Sequence, residues 1–406
     1  MADTMNDLRI SQCSALLTSV IGQMNGTVET PVMANPEQVV STATTLLKSG
    51  YDPLMGAVSQ VWANTIFAVR PADKGYLRSL EMTLSRYGNA TRKLSPIAQN
   101  PEDNAEFDSS IAYNFSTQTS PNSGSVDQWK VVKQYVQQTN FYGTATYAKT
   151  WTVWRDDMDT AFHNAEELAR FNEMNLVQRY NDWERFREAV AVTMQANFIA
   201  ALLKENQNGR VIHALTEYNT LTGEQFTAQD IYKPANFRSF AQWLNGRIAT
   251  LRDFMRLQST LYQTTISNKT VVRHTPENKL RIAMLSSFAH ELNNMAFANT
   301  HSTDYLSPVK YEAIPYWQAI DVPDSIAVTP VYTSTTGTVT KADAAVEQAG
   351  IIALVHDVDA LGYCVTNSWQ ATTPINIRGG YWNTCNHAFI KTVQDQTEKA
   401  AVIILD

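Results

Sequence analysis

The sequence has little cysteine and no long apolar run. Its 406 residues include three cysteines, Cys13, Cys364 and Cys385, which are too few for a disulfide framework and show no CxxC spacing. We expect them to be small thiols in a reducing compartment. Runs such as IIALV and AVIIL are far shorter than the ~18 residues of a membrane helix, and the acidic start, MADTMNDLRISQC, is unlike a secretory signal. The composition therefore predicts a soluble intracellular protein with no membrane partner.

Charge is also scarce, and the net charge is negative, so the chain is not basic. Charged residues make up 17% of the sequence, hydrophobic residues 44%, and the net charge is -7 at pH 7. The apolar share excludes global disorder and is sufficient for two or three packed units. A dedicated nucleic-acid-binding protein would normally be basic, so the charge argues against one. It remains compatible with a protein that only encloses nucleic acid.

The first part of the chain changes from weak patterning to β-type patterning. Residues 1–60 are mildly amphipathic and are predicted to form an arm or short helices. From Val61, the run VWANTIFAV predicts a strand, and the following segment is expected to be a second strand. Four side chains would share one face of that second strand: Tyr76, Leu80, Met82 and Leu84.

Residues 85–125 form a polar segment with no periodicity, and strands are predicted on both sides of it. After it, Trp129, Val131 and Tyr135 alternate, and FYGTATYAKTWTVW has a two-residue period. Two strands leading out and two leading back predict a long hairpin arm. The apolar face of the last strand would carry Ala145, Tyr147, Trp151 and Val153, with threonines on the other face.

The polar segment carries opposite charges in its two halves. Its charged residues are, in order, Arg86, Arg92, Lys93, Glu102, Asp103, Glu106 and Asp108. Such a segment buries little apolar surface within one subunit, so its order must come from contacts elsewhere. We expect it to lie across a neighbouring subunit and to meet opposite charge there.

After Trp154 the period changes from two to 3.6 residues, which predicts helices. DDMDTAFHNAEELARF is a helix that begins with acidic residues, as its dipole favours. Asn181 and Glu184 are a plausible N-cap pair for a second, longer helix that ends near Lys204. A third helix is predicted over about 235–258. The apolar stripe of the second helix is Trp183, Phe186, Val190, Met194, Phe198 and Ala201.

The remaining chain is predicted to be mostly β. LRIAML alternates as a strand, and SSFAHELNNMAFA is interpreted as a short helix. Further strands are predicted at residues 313–320, 326–332 and 350–355 and in the terminal AVIIL. The sequence shows no internal repeat, and the fold class is α+β.

Known catalytic and metal-binding motifs are absent from the sequence or incomplete in it. FAHELNN begins like the zinc signature H-E-x-x-H, but Asn294 occupies the second histidine position, so His290 is interpreted as a helix-surface histidine. DDMD at 156–159 is interpreted as solvated charge at a helix start. The chain contains no GxxxxGK[ST], GxGxxG or GxSxG pattern. We predict no metal and no cofactor.

The stretch GIIALVHDVDALGYC at 350–364 leaves two interpretations. Strand alternation would place Asp357 and Asp359 on one face beside His356, and paired carboxylates can serve as acid and base. Alternatively, Asp357 ends the strand and caps the turn that leads to ALGY. The other six histidines are scattered along the chain, so we favour the structural interpretation and predict no catalytic residue.

The order of these elements resembles the major capsid proteins of tailed bacteriophages, which have the Hong Kong 97-type fold. YAKTWTVWRDDMDTAFHNAEELARF and NDWERFREAVAVTMQANFIAALLKE resemble the descending strand of the extended loop and the helices that end in the spine helix. GIIALVHDVDALGYCVTN and IRGGYWNTCNHAFI resemble the late strand and the return strands. Among members of the family, the chain looks most like those of small short-tailed phages of the phi-twenty-nine type.

The resemblance implies a division of the chain into segments. These are an N-terminal arm at 1–60, a peripheral-domain strand and extended loop at 61–154, peripheral-domain helices including the spine helix at 155–210, an axial domain at 211–385, and return strands at 386–406. The chain ends at Asp406, so we expect no immunoglobulin-like surface domain.

The resemblance also implies a structural function without catalysis. The subunit would assemble in the host cytoplasm into hexamers and pentamers of an icosahedral virion head, enclosing double-stranded DNA without sequence-specific binding. A portal protein and a separate scaffold protein are the expected partners. Two alternatives stay open: an encapsulin-like cellular nanocompartment shell of the same fold, which would hold enzyme cargo, and a soluble hydrolase using Asp357 and Asp359.

Overall fold

The structure is a computed structural model that describes residues 76–84, 90–97, 135–142, 144–156, 165–266, 271–291 and 311–406. Several predicted features lie outside these residues: the arm at 1–60, the strand from Val61, the tip of the hairpin arm at 98–134 and Asp157 to Asp159. Within the described ranges the strands are β1 (Ala90–Pro96), β2 (Val136–Tyr142), β3 (Thr144–Trp154), β4 (Val211–His213), β5 (Leu280–Leu285), β6 (Glu312–Ile314), β7 (Ile326–Val328), β8 (Val331–Thr333), β9 (Val339–Lys341), β10 (Val346–Gln348), β11 (Ile351–Asp357), β12 (Leu361–Thr372), β13 (Tyr381–Gln394) and β14 (Ala400–Ile404).

The described helices are α1 (Ala165–Lys204), α2 (Ala214–Thr222), α3 (Ala228–Ile231) and α4 (Pro234–Arg256). The short α3 has a complete capping box, because the Thr227 and Asp230 side chains each bond the other residue's backbone N–H. The helix predicted over about 235–258 is confirmed as α4. Residues 286–291 are also helical, and His290 is exposed there, as predicted.

Helix α1 is one continuous helix of 40 residues, about 60 Å long. The prediction of two helices separated near Asn181 is wrong. The segment contains neither proline nor glycine, so nothing in the backbone chemistry interrupts it. The predicted end at Lys204 is confirmed. Asn208 and Gly209 follow with left-handed backbone angles, φ 53° and 73°, which turn the chain away from the helix axis.

The second half of α1 is more deeply buried than a single apolar stripe requires. Met194 and Phe198 of the predicted stripe are buried, whereas Trp183 and Phe186 are only partly covered. Additional side chains off the stripe are buried as well: Ala191, Val192, Gln195, Ala196, Ile199, Ala200 and Leu202. The helix contacts β7, β8, β12 and β14, so its second half lies between layers instead of on a surface.

A five-stranded sheet with the order β4-β14-β11-β5-β6 forms the centre of the fold. The inner strands are antiparallel, and the two outer pairings are parallel. β11 and β14 are buried along their whole length, which matches their continuous apolar sequence. Leu354 and Val402 face the core that contains α1, whereas Val355 and Ile403 face the core that contains α2 and α4. The predicted strands LRIAML, 350–355 and AVIIL are thus confirmed.

A second sheet has the order β12-β13-β3, and all its pairings are antiparallel. Tyr147 of β3 contacts Phe186 of α1 with ring centroids 4.5 Å apart, and the Arg179 guanidinium lies 4.0 Å from the centre of the Trp151 ring. Val153 is buried on the same side. The predicted apolar face of β3 is therefore the face towards α1. β13 crosses the domain boundary predicted between residues 385 and 386, and the division into domains stays a prediction.

Three predicted strands differ in the structure. The strand with Tyr76 and Leu80 is wrong, because Tyr76–Leu80 is a 3₁₀-helix whose Leu77 and Leu80 are buried at the three-residue spacing of that helix. The strand at 313–320 is limited to β6 since Pro315 follows it directly. The strand at 326–332 is divided into β7 and β8 around Pro330. Proline cannot donate to a strand ladder, which explains both interruptions.

Candidate functional site

The three polar residues at the end of β11 form a turn. Asp357 is 3% exposed, and its Oδ1 accepts a hydrogen bond of 2.8 Å from the backbone N–H of Asp359. The Asp357 carbonyl also accepts from the N–H of Ala360, at 3.0 Å. These bonds fold the chain back from β11 into β12. The interpretation of Asp357 as the residue that ends the strand and caps the turn is confirmed.

His356 and Asp359 do not complete an acid–base pair with Asp357. His356 is buried, and burial lowers its pKa to about 4, so the ring is neutral at pH 7. Its Nδ1 lies 2.8 Å from the Asp357 carbonyl, which can only accept, so Nδ1 carries the proton. Asp359 lies beyond the strand end, half exposed, and forms an ion pair with Lys279 at 2.8 Å. The alternation that would place both carboxylates on one strand face is therefore wrong.

A group of four charged residues adjoins this turn, and we call it the charged junction: Lys93 and Arg273, which are partly covered, and Asp395 and Glu398, which are buried. Asp395 and Glu398 belong to the segment DQTEK that connects β13 to β14. All five of these residues are buried, with Asp395 2% and Glu398 6% exposed. Lys93 comes from β1, and Arg273 from the segment between α4 and β5. Three distant parts of the chain thus meet at one point.

The distances in the charged junction define three linked ion pairs among four residues. Lys93 Nζ lies 2.8 Å from Asp395 Oδ2 and 2.5 Å from Glu398 Oε1. Arg273 Nη1 lies 2.7 Å from the same Glu398 oxygen. The other Asp395 oxygen accepts from the Thr397 N–H at 2.9 Å and from its hydroxyl at 2.6 Å. Two cations therefore face two carboxylates, and the group is formally neutral.

The pKa values show how burial competes with these pairs. Burial alone would raise the pKa of Asp395, but the charge and hydrogen bond of Lys93 and the bonds from Thr397 hold it below its usual value. Burial raises the pKa of Glu398, and Lys93 and Arg273 do not fully offset it. Burial lowers the pKa of Lys93, yet Asp395 and Glu398 outweigh that effect and raise it. Glu398 is therefore the more readily protonated of the two carboxylates.

Lys93 reaches the junction because β1 presents alternate residues to the body of the subunit. Thr91, Lys93 and Ser95 are wholly or partly covered, whereas Arg92 and Leu94 are exposed. Lys93 belongs to the basic half of the polar segment, which was expected to meet a neighbouring subunit. That expectation is wrong for Lys93, which meets two carboxylates of its own chain. Arg86 and the acidic half of the polar segment lie outside the described residues.

Sequence reasoning missed Asp395, Glu398 and Arg273 altogether. DQTEK between two apolar strands has the composition of an exposed turn, and its burial depends on strands and segments far away in sequence. One signal was present: two acidic residues close to a buried strand require partners. The sequence does not show which of the 32 lysines and arginines supply them.

No metal centre or membrane segment is found among the residues that the structure describes. No group of three His, Cys, Asp or Glu side chains in these ranges is placed to hold a metal ion. No helix there has the length and apolar character to cross a bilayer. Cys364 is buried, Cys385 is half-buried and both are free thiols, while Cys13 lies outside the described ranges.

No protein-family model and no curated protein matches the chain. Solved structures do match. A chain in the structure of the head fiber and inner core protein gp22 of native bacteriophage P68 aligns with a TM-score of 0.51 at 11% identity, covering 83% of this chain and 86% of that one. Several of the other structural neighbours are bacteriophage capsid structures.

Two further neighbours show the range of the likeness. The capsid structure of Staphylococcus phage Andhra aligns with a TM-score of 0.46 at 11% identity, covering 83% of this chain and 88% of that one. The satellite phage P4 procapsid including the size determination (Sid) protein gives 0.37 at 12% identity, with 91% and 97% covered. Both of these TM-scores are below 0.5, whereas the P68 likeness, at 0.51 and 11% identity, shows a shared fold.

Proposed function

We propose that the chain is the major capsid protein of a tailed bacteriophage with the Hong Kong 97-type fold. The observation that carries the proposal is the P68 likeness, which covers more than four fifths of both chains. A match of this extent concerns the whole arrangement of elements and not one common motif. The subunit would form hexamers and pentamers of an icosahedral head around double-stranded DNA.

The order of the described elements supports the same assignment. The paired strands β1 and β2 correspond to the base of the extended loop, and β3 to its descending strand. α1, a single helix of 40 residues, takes the place of the spine helix. The central sheet with α2 and α4 would be the axial domain, and β13 and β14 the return strands. In this proposal the phi-twenty-nine-type relatives are the model for the subunit.

The geometry gives the hydrolase alternative little support. Asp357 uses its carboxylate in a turn, His356 is buried and neutral, and Asp359 forms an exposed ion pair with Lys279. His356 and Asp357 are 2% and 3% exposed, so the three residues do not form an accessible catalytic site. A structural assignment needs none, because self-assembly depends on surfaces instead of a reactive centre.

The test is the size and content of purified particles. We expect the full chain, expressed with its phage's scaffold and portal genes, to sediment as closed shells and as hexamers and pentamers. Particles from infected cells should contain nuclease-protected double-stranded DNA. Particles filled with one enzyme would instead indicate a nanocompartment. A monomer or dimer with no larger species would contradict the proposal.

A further inference from the structure

Strands β1 and β2, which we call the arm ribbon, form a sheet of their own. They pair over seven residues, from Ala90 opposite Tyr142 to Pro96 opposite Val136. In the described part of the chain no third strand joins them. An isolated two-stranded ribbon is marginally stable in water, so its order depends on what it packs against.

The face of the arm ribbon that meets the body is mostly polar. It presents Lys93, Ser95, Gln137 and Thr139, which are partly or wholly covered, together with Phe141. On the opposite face the apolar Leu94 and Val136 are more than half exposed, at 54% and 53%. Neither apolar core cluster of the described residues includes a residue of the ribbon. Ordinary apolar packing is therefore not what holds the ribbon.

What the structure shows instead is an ionic attachment. Lys93 lies near the middle of β1, with its ammonium 2.8 Å and 2.5 Å from Asp395 and Glu398 in the buried connection between β13 and β14. That connection is fixed from the other side by Arg273, which bonds Glu398 and Thr397. Lys93 of the ribbon thus places one charge against a buried connection of the body.

We propose that the charged junction is a reversible latch, which holds the arm ribbon against the body when Lys93 is inserted and releases it in acid while the body stays folded. The two parts have separate stabilities. The body depends on two apolar cores, and the ribbon depends on one inserted charge. The latch is a property of the single subunit. Its use, adjusting the arm to different positions in a shell, rests on the proposed function.

The direction of the pH effect follows from the groups around the two carboxylates. The inserted Lys93 lowers the pKa of both Asp395 and Glu398, so withdrawing it raises both pKa values. The released state therefore binds protons more readily, and a fall in pH favours it. Burial raises the pKa of Glu398 in the latched state, so Glu398 is the first of the two carboxylates to be protonated as the pH falls. The charged groups that act on the two carboxylates are Lys93, Arg273, Lys279 and Arg210, together with the carboxylates themselves.

Hydrogen–deuterium exchange on the unassembled full chain tests the latch. The amides of residues 90–97 and 136–142 report on the ribbon, and those of 351–357 and 400–404 report on the body. We expect Lys93→Met to raise exchange in the ribbon by at least about tenfold and to leave the body within about twofold. Lys93→Arg, which keeps the charge, should restore most of the protection. Arg92→Met is the matched control, because it removes the neighbouring charge from the exposed face of the same strand.

The wild-type chain supplies a second measurement that needs no destabilising variant. After correction for intrinsic exchange rates, lowering the pH from about 7 to about 5 should raise exchange in the ribbon and not in the body. Glu398→Gln should show raised ribbon exchange already at neutral pH and a weaker response to acid. Equal ribbon exchange in Lys93→Met and Arg92→Met would overturn the latch. So would a parallel rise in ribbon and body, which would make Lys93 part of the general stability of the fold. Because the chain is unassembled, neither outcome depends on whether it forms shells.

Discussion

Replacing His356 should change how the stability of the protein depends on pH. His356 lies in the central strand β11, between Arg281 on β5 and Ala400 on β14. Burial lowers its pKa, and the nearby charge of Arg281 lowers it further, against the opposing effects of its bond to the Asp357 carbonyl and of the Asp357 charge. The resulting value is about 4, compared with 6.5 for an ordinary histidine. The folded protein therefore holds a neutral ring at a pH where the unfolded chain holds a charged one.

The magnitude follows from the two pKa values. Between about pH 6.5 and pH 4 the unfolded chain binds a proton that the folded chain does not, so the free energy of unfolding falls as the pH falls. At pH 5 this histidine should cost about 2 kcal/mol of stability relative to pH 7.5, and the cost should approach about 3 kcal/mol below pH 4. The loss is complete only once the pH passes below the folded-state value.

Urea unfolding of the full chain at about pH 7.5 and pH 5 measures the effect. His356→Asn retains an N–H donor near the Asp357 carbonyl and removes the titration. The variant should be less stable than the wild type at pH 7.5, because it leaves space in the core, and the difference should shrink by about 2 kcal/mol at pH 5. His290→Asn, at an exposed histidine, is the control and should keep the wild-type pH dependence. An unchanged gap between His356→Asn and the wild type would refute the buried neutral ring.

Three further predictions concern other parts of the fold. The double variant Asp357→Asn, Asp359→Asn should still assemble, because the amide oxygen can accept the turn hydrogen bond and the exposed ion pair is worth under about 1 kcal/mol. Light scattering during assembly measures this. A variant that folds but never assembles would show that these residues have a role beyond the turn. Phe186→Asp should give insoluble protein, since a charge between the rings of Tyr147 and Trp183 costs several kcal/mol. A soluble variant that assembles would mean that this face of α1 is not packed. Particles should melt at the same temperature with and without reductant, because Cys364 and Cys385 are free thiols; a lower melting temperature under reducing conditions would reveal a disulfide.

The sequence predicted those elements whose patterns are local. β11 and β14 are continuous apolar runs, α4 has a regular stripe and β3 has a strict alternation, and all four are found where they were expected. The turn at Asp357 was predicted too, because a short polar side chain after a buried strand commonly bonds its own backbone. Each of these features depends on residues close together in the chain.

The features that the sequence did not predict depend on tertiary partners. Asn181 has the chemistry of an N-cap, but helix α1 continues through it. Tyr76 and Leu80 fit one face of a strand, whereas Leu77 and Leu80 fit the buried side of a 3₁₀-helix, and only the core that the segment enters decides between the two. The charged junction joins residues about 300 positions apart, since Lys93 and Asp395 differ by 302, and no local pattern can indicate such a contact.

Cryo-electron microscopy of particles formed by the full chain, co-expressed with the proposed scaffold protein, tests the capsid assignment most directly. We expect closed icosahedral shells built of hexamers and pentamers. Each subunit should have the central five-stranded sheet, α1 beside it and the arm ribbon attached at Lys93. The same map would show the contacts that the ribbon makes with neighbouring subunits. A purified protein that forms only small oligomers, with no repeating shell lattice, would contradict the capsid assignment.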